Sequence, residues 1–226
     1  MKRAIIIIFS ALLSLPIFGQ GIKDIDIQLQ NIGTHDQNIR LNVMHSQQKG
    51  NIDSLIYYIE QMAKIDAENQ LFVADLIRTQ GIPDGLSKEA YSAIFLVVDH
   101  AEVTYQKRHF KPLKQAAKEG KIKQSEINTL YDRIMMRSNR RQLFGTQTQS
   151  HTRIIEGEPL PKQVCYLWPV RRARTLDKRR KEAGQTPISA QIETYKKVAN
   201  YEMVWDKTLS VRKFKKMMDE QTVDTN

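Results

Sequence analysis

Apolar residues recur at helical spacing along most of this chain, and that periodicity decides the fold class before composition does. The clearest segment runs over about residues 52–80, with Leu55, Ile59, Met62, Leu71 and Ile77 among its apolar positions, and Gly81 followed by Pro83 stops it. A looser segment over about 22–48 precedes it, carried by Ile25, Leu29, Ile32, Ile39 and Val43, with Gly33 as an expected weak point. Ser87 is placed to cap a third helix that ends near His100. Tyr91, Ile94, Phe95 and Val98 form one stripe of it while Ala93, Leu96 and Val97 occupy the other side, so this helix is apolar all round and belongs at the centre. A fourth covers about 104–119, where Pro112 predicts a kink and Gly120 the end. In a fifth, over about 124–137, Ile127, Leu130, Tyr131 and Ile134 turn toward the core.

The pattern changes after Arg141. Stretches over about 142–152 and 162–168 read as extended, and Glu156-Gly157-Glu158-Pro159 between them favours a turn. Helical signals return over about 170–183, are interrupted at Gly184 and Pro187, and resume over 189–200. A last segment, about 207–220, sets Val211, Phe214 and Met218 on one face and Lys213, Lys215 and Lys216 elsewhere. The expected architecture is mainly α: a single helical domain over residues 22–200 with a small β-hairpin in its second half, at about residues 142–168, then a basic amphipathic C-terminal segment over 201–226. A chain of 226 residues has room for one sizeable core and little more.

Residues 1–21 read as a secretory signal peptide. Lys2 and Arg3 make the basic start, Ala4 to Phe18 the apolar run, and Gly19-Gln20-Gly21 the small residues near a cleavage point. The run is shorter than the roughly 20 apolar residues of a membrane span, so no transmembrane span is expected in the mature chain, and the expected destination is the periplasm or the medium. Cys165 is the one cysteine, which excludes an internal disulfide; its β-branched and aromatic neighbours predict a buried, inert thiol. The formal charge is +10. An exported basic protein points to an anionic partner, a small molecule or an envelope surface, and no nucleic acid partner is expected. The densest basic stretch contains Arg171, Arg172, Arg174, Lys178, Arg179, Arg180 and Lys181.

No glycine-rich phosphate loop, HExxH, CxxC pair, G-x-S-x-G elbow or EF-hand loop occurs, so neither a cofactor nor a metal site is expected. His35-Asp36, Asp99-His100 and Asp132 resemble the histidine and aspartate set of a metallophosphohydrolase only superficially, since their spacing is not specific and one pair runs in the wrong order. His100 closes the central helix and is expected to be partly desolvated, which suits either a hydrogen-bonded core histidine or a ligand-binding or acid-base group. Asp132 points away from the apolar face of its helix and reads as part of a solvent-exposed ion pair. Asp36 and Arg40, four apart, and Asp66 and Asn69, three apart, read as ordinary pairs on helix faces.

Asp36-Gln37 with Arg40, Asp66, Asn69, Gly81-Ile82-Pro83, His100-Ala101 with Gln106, Asp132-Arg133-Ile134, and Arg179-Arg180 with Gly184, Pro187 and Tyr195 occur in an order that resembles the uncharacterised bacterial family known as domain of unknown function 6624. The most specific element is Gln142-Leu143-Phe144-Gly145-Thr146-Gln147, which is similar to that family's Q-x-[YF]-G-T-Q signature. The resemblance brings no activity with it. It does imply that His100, Gln106, Asp132, Arg133, Gln142, Thr146, Gln147 and Arg180, polar motif positions from separate segments, form the candidate ligand-binding set. Three arrangements accommodate them. In the first, Thr146, Gln147, His100, Asp132 and Arg180 line a polar cleft of a binding module. In the second, a hydrolase-like enzyme uses His100 or Asp132 as general base, with Arg180 or the Thr146 amide steadying negative charge. In the third, the same groups form a structural network between hairpin and helices.

Overall fold

The computed structural model describes residues 21–153, 162–197 and 201–223; the apolar leader through residue 20 and the expected turn at 156–159 lie outside them. The described chain is mainly α, as its periodicity predicts. Helices α1 (Ile22–Gln48) and α2 (Ile52–Gln80) form a long antiparallel hairpin, α3 (Lys88–His100) crosses it, and α4 (Val103–Lys118) and α5 (Gln124–Arg137) complete the helical body. The second half adds β1 (Thr148–Arg153), β2 (Lys162–Leu167), a 3-10 turn (Ala173–Thr175), α6 (Leu176–Glu182), α7 (Ile188–Lys196), β3 (Tyr201–Val204) and α8 (Val211–Val223).

Local chemistry sets the boundaries. The Asn51 side chain accepts the amide of Ser54 at 3.0 Å and starts α2. Ser87 accepts the amide of Ala90 at 3.2 Å and starts α3. Nearly every side chain of α3 is buried, from Ala90 to Asp99, and it packs with Ile25, Leu29 and Ile32 of α1, Val73 and Leu76 of α2, Leu113 of α4 and Ile127 and Leu130 of α5. The central position expected for an all-apolar helix is therefore observed.

Gly33 and Pro112 both lie inside continuous helices. Gly33 leaves α1 continuous, because its role is close approach: a Cβ there would lie 3.1 Å from the Cβ of Ala93 on α3. Pro112 sits inside α4, where the carbonyl it releases belongs to Arg108, an exposed residue that water can serve.

The expected hairpin is present as β1 and β2, antiparallel, pairing Thr148 with Leu167 and Ser150 with Cys165. Periodicity did not reveal the third strand: β3 runs parallel to β2, with Val164 opposite Glu202 and Tyr166 opposite Val204. Val164 and Tyr166 on one face of β2, with Trp168 just after it, pack against Phe214 and Met218, so α8 covers the sheet. Leu167 on the other face joins Val170, Leu176, Ile188 and Met203. The helix expected over 170–183 starts later, at Leu176, because Val170 bridges to Gln142 and Arg172 adopts a left-handed φ of 52° that a helix cannot contain. Among the described residues no helix is long and apolar enough to cross a membrane.

Candidate functional site

The polar motif residues fall into two groups, and they differ in how fully they are satisfied. The first surrounds residues 142–147, the segment that leads into β1. Asp132, on α5, has no exposed surface, which corrects its expected place in a solvent-exposed pair. Its carboxylate accepts the backbone amides of Leu143 at 2.7 Å, Phe144 at 2.9 Å and Thr146 at 3.1 Å, and the Thr146 hydroxyl at 3.1 Å. Burial pushes this carboxyl upward from its ordinary pKa, and the four donors partly oppose the shift. Three of those neighbours are backbone amides, which only donate and so favour the ionised form.

The carbonyls of the same segment point the other way, into two guanidinium groups. Arg179 donates to the Leu143 carbonyl from Nε at 3.2 Å and Nη2 at 3.0 Å. Arg180, 5% exposed, donates to the carbonyls of Phe144 at 2.7 Å, Gly145 at 3.1 Å and Thr186 at 2.6 Å, and to Gln191 Oε1 at 2.8 Å. Gln142 closes the ring: its amide nitrogen donates to the carbonyls of Gln147 and Trp168, and its Oε1 accepts the Gln147 amide at 2.9 Å. Gln147 Nε2 donates to Thr146 Oγ1 at 3.2 Å. Gly145 turns the segment at φ 65°, and a Cβ there would meet Leu176 Cδ2 at 3.0 Å. One buried carboxylate thus holds the segment's amides while two arginines hold its carbonyls.

The second group lies where α3 ends on the α1–α2 hairpin. Asp36, 1% exposed, contacts His100 Nδ1 at 3.2 Å through Oδ1, accepts the Gln37 side-chain amide at 2.7 Å, and pairs with Arg40 at 2.9 Å. Arg40 reaches across to α2 and takes both oxygens of Asp66 at 3.0 Å. Burial raises the Asp36 carboxyl, but the hydrogen bond and charge of His100, then Arg40 and Gln37, outweigh it and hold the group below its ordinary value. A carboxylate only accepts, so His100 donates to Asp36 from Nδ1. The His100 side chain is 20% exposed, and no described protein group bonds its Nε2.

Gln106 and Arg133 flank this group. Gln106 is fully buried and donates to the Asp99 carbonyl at 2.7 Å, while its Oε1 has no protein partner. Arg133 Nε stands 3.1 Å from Asp99 Oδ1, an ion pair too poorly angled to be a hydrogen bond. Burial raises the Asp99 carboxyl, against the charges of Arg133, His100 and Arg137.

Of the eight predicted residues, then, Asp132, Gln142, Thr146, Gln147 and Arg180 come together, and His100 stands in a different network. No hydrogen bond joins His100 to Asp132. Sequence reasoning left Asp36, Arg40, Asp66 and Arg179 outside the site. The signal for Asp36 was available: it occupies the Ile25, Leu29, Ile32, Ile39 stripe at the i, i+4, i+7, i+11 position, so it is a charge inside a core face. Clefts of about 440 and 580 Å³ lie along α4, the second also lined by the residues around Gly81, and contain none of the predicted set. Among the described residues no three histidine, cysteine or acidic side chains are grouped to hold a metal ion.

Comparison with family models matches residues 23–202 to the Family of unknown function (DUF6624), and the chain belongs to that family. No curated protein and no solved structure matches it.

Proposed function

We propose that this member of the family is an exported binding module for a small polar ligand, held at the open edge of His100, and that the Gln142–Gln147 segment is the clasp that fixes the fold around it. One observation carries the reading: Nδ1 is held by a buried carboxylate while Nε2 has no described protein partner and faces out. A ring fixed in that way offers its second nitrogen in a set direction, where a polar ligand can share a hydrogen bond with it. Asp36 and Asp66 face Arg40, and Asp99 faces Arg133, so the charges around this edge come in opposed pairs and a polar ligand suits it better than a strongly charged one. Arg180, one member of the basic stretch behind the expected anionic partner, spends its donors on the chain's own carbonyls and Gln191.

The test is a ring-nitrogen NMR titration of His100 with neutral polyols, small amines, carboxylates and inorganic phosphate, each added separately. A saturable displacement of the Nε2 signal by one class, absent in Asp36→Asn, supports the proposal. Flat titrations against all four, with the spectrum otherwise native, refute it. Export belongs to the same proposal and is tested by sequencing the N-terminus of the protein recovered outside the cytoplasm.

The Asp36 contact also favours a second reading. A histidine oriented through Nδ1 by a buried carboxylate, with Nε2 free, has the arrangement of a general base. Turnover of an activated ester that disappears in His100→Gln without loss of stability would move the assignment from binding to catalysis.

A further inference from the structure

The α1–α2 hairpin is longer than the body it supports. Between residues 41 and 65 only Ser46 is buried, although α1 contributes Ile25, Leu29, Ile32, Asp36 and Ile39 to the interior before that stretch and α2 contributes Asn69, Val73 and Leu76 after it. From Ile52 to Asp66 the rise of about 1.5 Å per residue gives an arm of about 21 Å.

Besides Leu41 and Tyr57, this arm carries a stripe of exposed apolar side chains that no described residue covers. On α2, Ile52, Ile56, Ile59 and Ala63 follow one another at i, i+4, i+7 and i+11, and the three isoleucines are 67%, 53% and 44% exposed. On α1, Gly33, Gln37, Arg40 and Met44 share a stripe at the same spacing, and Met44 is 42% exposed. These two stripes lie on the same side of the hairpin as α3. Gly33 touches Ala93 of α3, and the α2 stripe continues through Gln70, whose carbonyl takes the Tyr105 hydroxyl of α4, to Ile77, which packs into the main core. Among the described residues, the face that seats α3 near its base therefore runs on, past His100, without a covering layer.

We infer that this face is a self-association surface, on which two copies pack their arms antiparallel about a two-fold axis and complete a four-helix bundle. A two-helix layer has no interior of its own, and a second identical layer supplies one while burying the same residues on both copies. Charge favours a like partner over an anionic lipid surface: Lys49 and Lys64 on the arm are matched by Asp53 and Glu60, whereas the unpaired basic stripe of Lys107, Lys111, Lys114 and Lys118 lies on α4. The inference does not depend on what His100 binds.

Sedimentation equilibrium of the purified protein tests it. The expected mass is twice that of one chain. Ile56→Glu combined with Ile59→Glu, which buries four carboxylates in the paired arms, raises the dissociation constant by about a hundredfold or more, while Lys107→Glu leaves it unchanged. An independent readout uses Ile59→Cys: oxidation links two copies through it, since the native Cys165 is buried. A single-chain mass at the highest soluble concentration overturns the inference, as does a dimer that survives the double substitution or the absence of a crosslink. A single-chain protein that binds neutral phospholipid vesicles, and loses that binding in the double variant, would assign the face to lipid instead.

Discussion

Replacing Asp132 by alanine removes the only acceptor that three backbone amides share. Those of Leu143, Phe144 and Thr146 lie 2.7 to 3.1 Å from its oxygens, in a region where Asp132 has no exposed surface. A buried donor left unsatisfied costs about 1–3 kcal/mol. Three of them set a range of about 3–9 kcal/mol, and the upper half is not reached because the alanine variant no longer buries a charge, whose desolvation is what pushes this carboxyl upward. The expected loss is about 4 kcal/mol, or about 8–16 °C in melting temperature for a chain of this size. Asparagine keeps one acceptor for Leu143 and Phe144 but sets an amino group against the Thr146 amide, so Asp132→Asn should lose about 2 kcal/mol. Urea unfolding followed by circular dichroism gives the free energies, and amide hydrogen exchange locates them: Leu143, Phe144 and Thr146 lose protection before the central helix does. A loss below about 1 kcal/mol in the alanine variant, or unchanged exchange at those three amides, would refute the account of the clasp and return Asp132 to the list of ligand-binding groups.

Arg180→Lys keeps the charge and removes the fork that reaches Phe144, Gly145, Thr186 and Gln191; about 2–3 kcal/mol of stability goes with it, measured by the same urea series. Asp36 has a folded-state pKa below its ordinary value of 3.8, so its contribution is present above that value and is lost as pH falls through the lowered one; the urea midpoint of the native chain drops more steeply below pH 3.8 than that of Asp36→Asn, and parallel curves would contradict the pairing with His100. Cys165 is buried, and burial pushes its thiol up, so a water-soluble disulfide reagent labels it only in denaturant; rapid labelling of the native protein would show the sheet to be open at β2.

The helical body was legible because its signals are local. Gly81 with Pro83, the Ser87 cap and the apolar run of α3 each act within a turn or two of the residues they control. Strand β3 had no such signal: four residues, Tyr201–Val204, are extended because a parallel neighbour from 38 positions earlier is there to pair with, Gln163 opposite Tyr201. Gly33 and Pro112 were read by propensity alone, and what decided them was surroundings: a helix that needed to come close in one case, an exposed carbonyl in the other. Asp132 failed for a related reason. A helical wheel states which way a side chain points; it does not state that a segment ten residues later will fold back over it.

The two buried aspartates show why the candidate set separates as it does. Asp132 and Asp36 are both inaccessible carboxylates in helices, and both were read as surface pairs. Around Asp132 the donors are three backbone amides and a hydroxyl, and the carbonyls of the same segment are taken up by Arg179 and Arg180, so these groups are spent on one another. Around Asp36 one of the donors is an imidazole, which has a second nitrogen, and the geometry that satisfies the first leaves the second facing out. Helix α3 ends at that residue, and beyond it the hairpin face continues uncovered through Met44, Ile52, Ile56 and Ile59. A ligand or a second copy arriving there meets a fixed ring nitrogen beside an apolar surface, whereas at the clasp it would have to break the hydrogen bonds that hold the sheet to the helices.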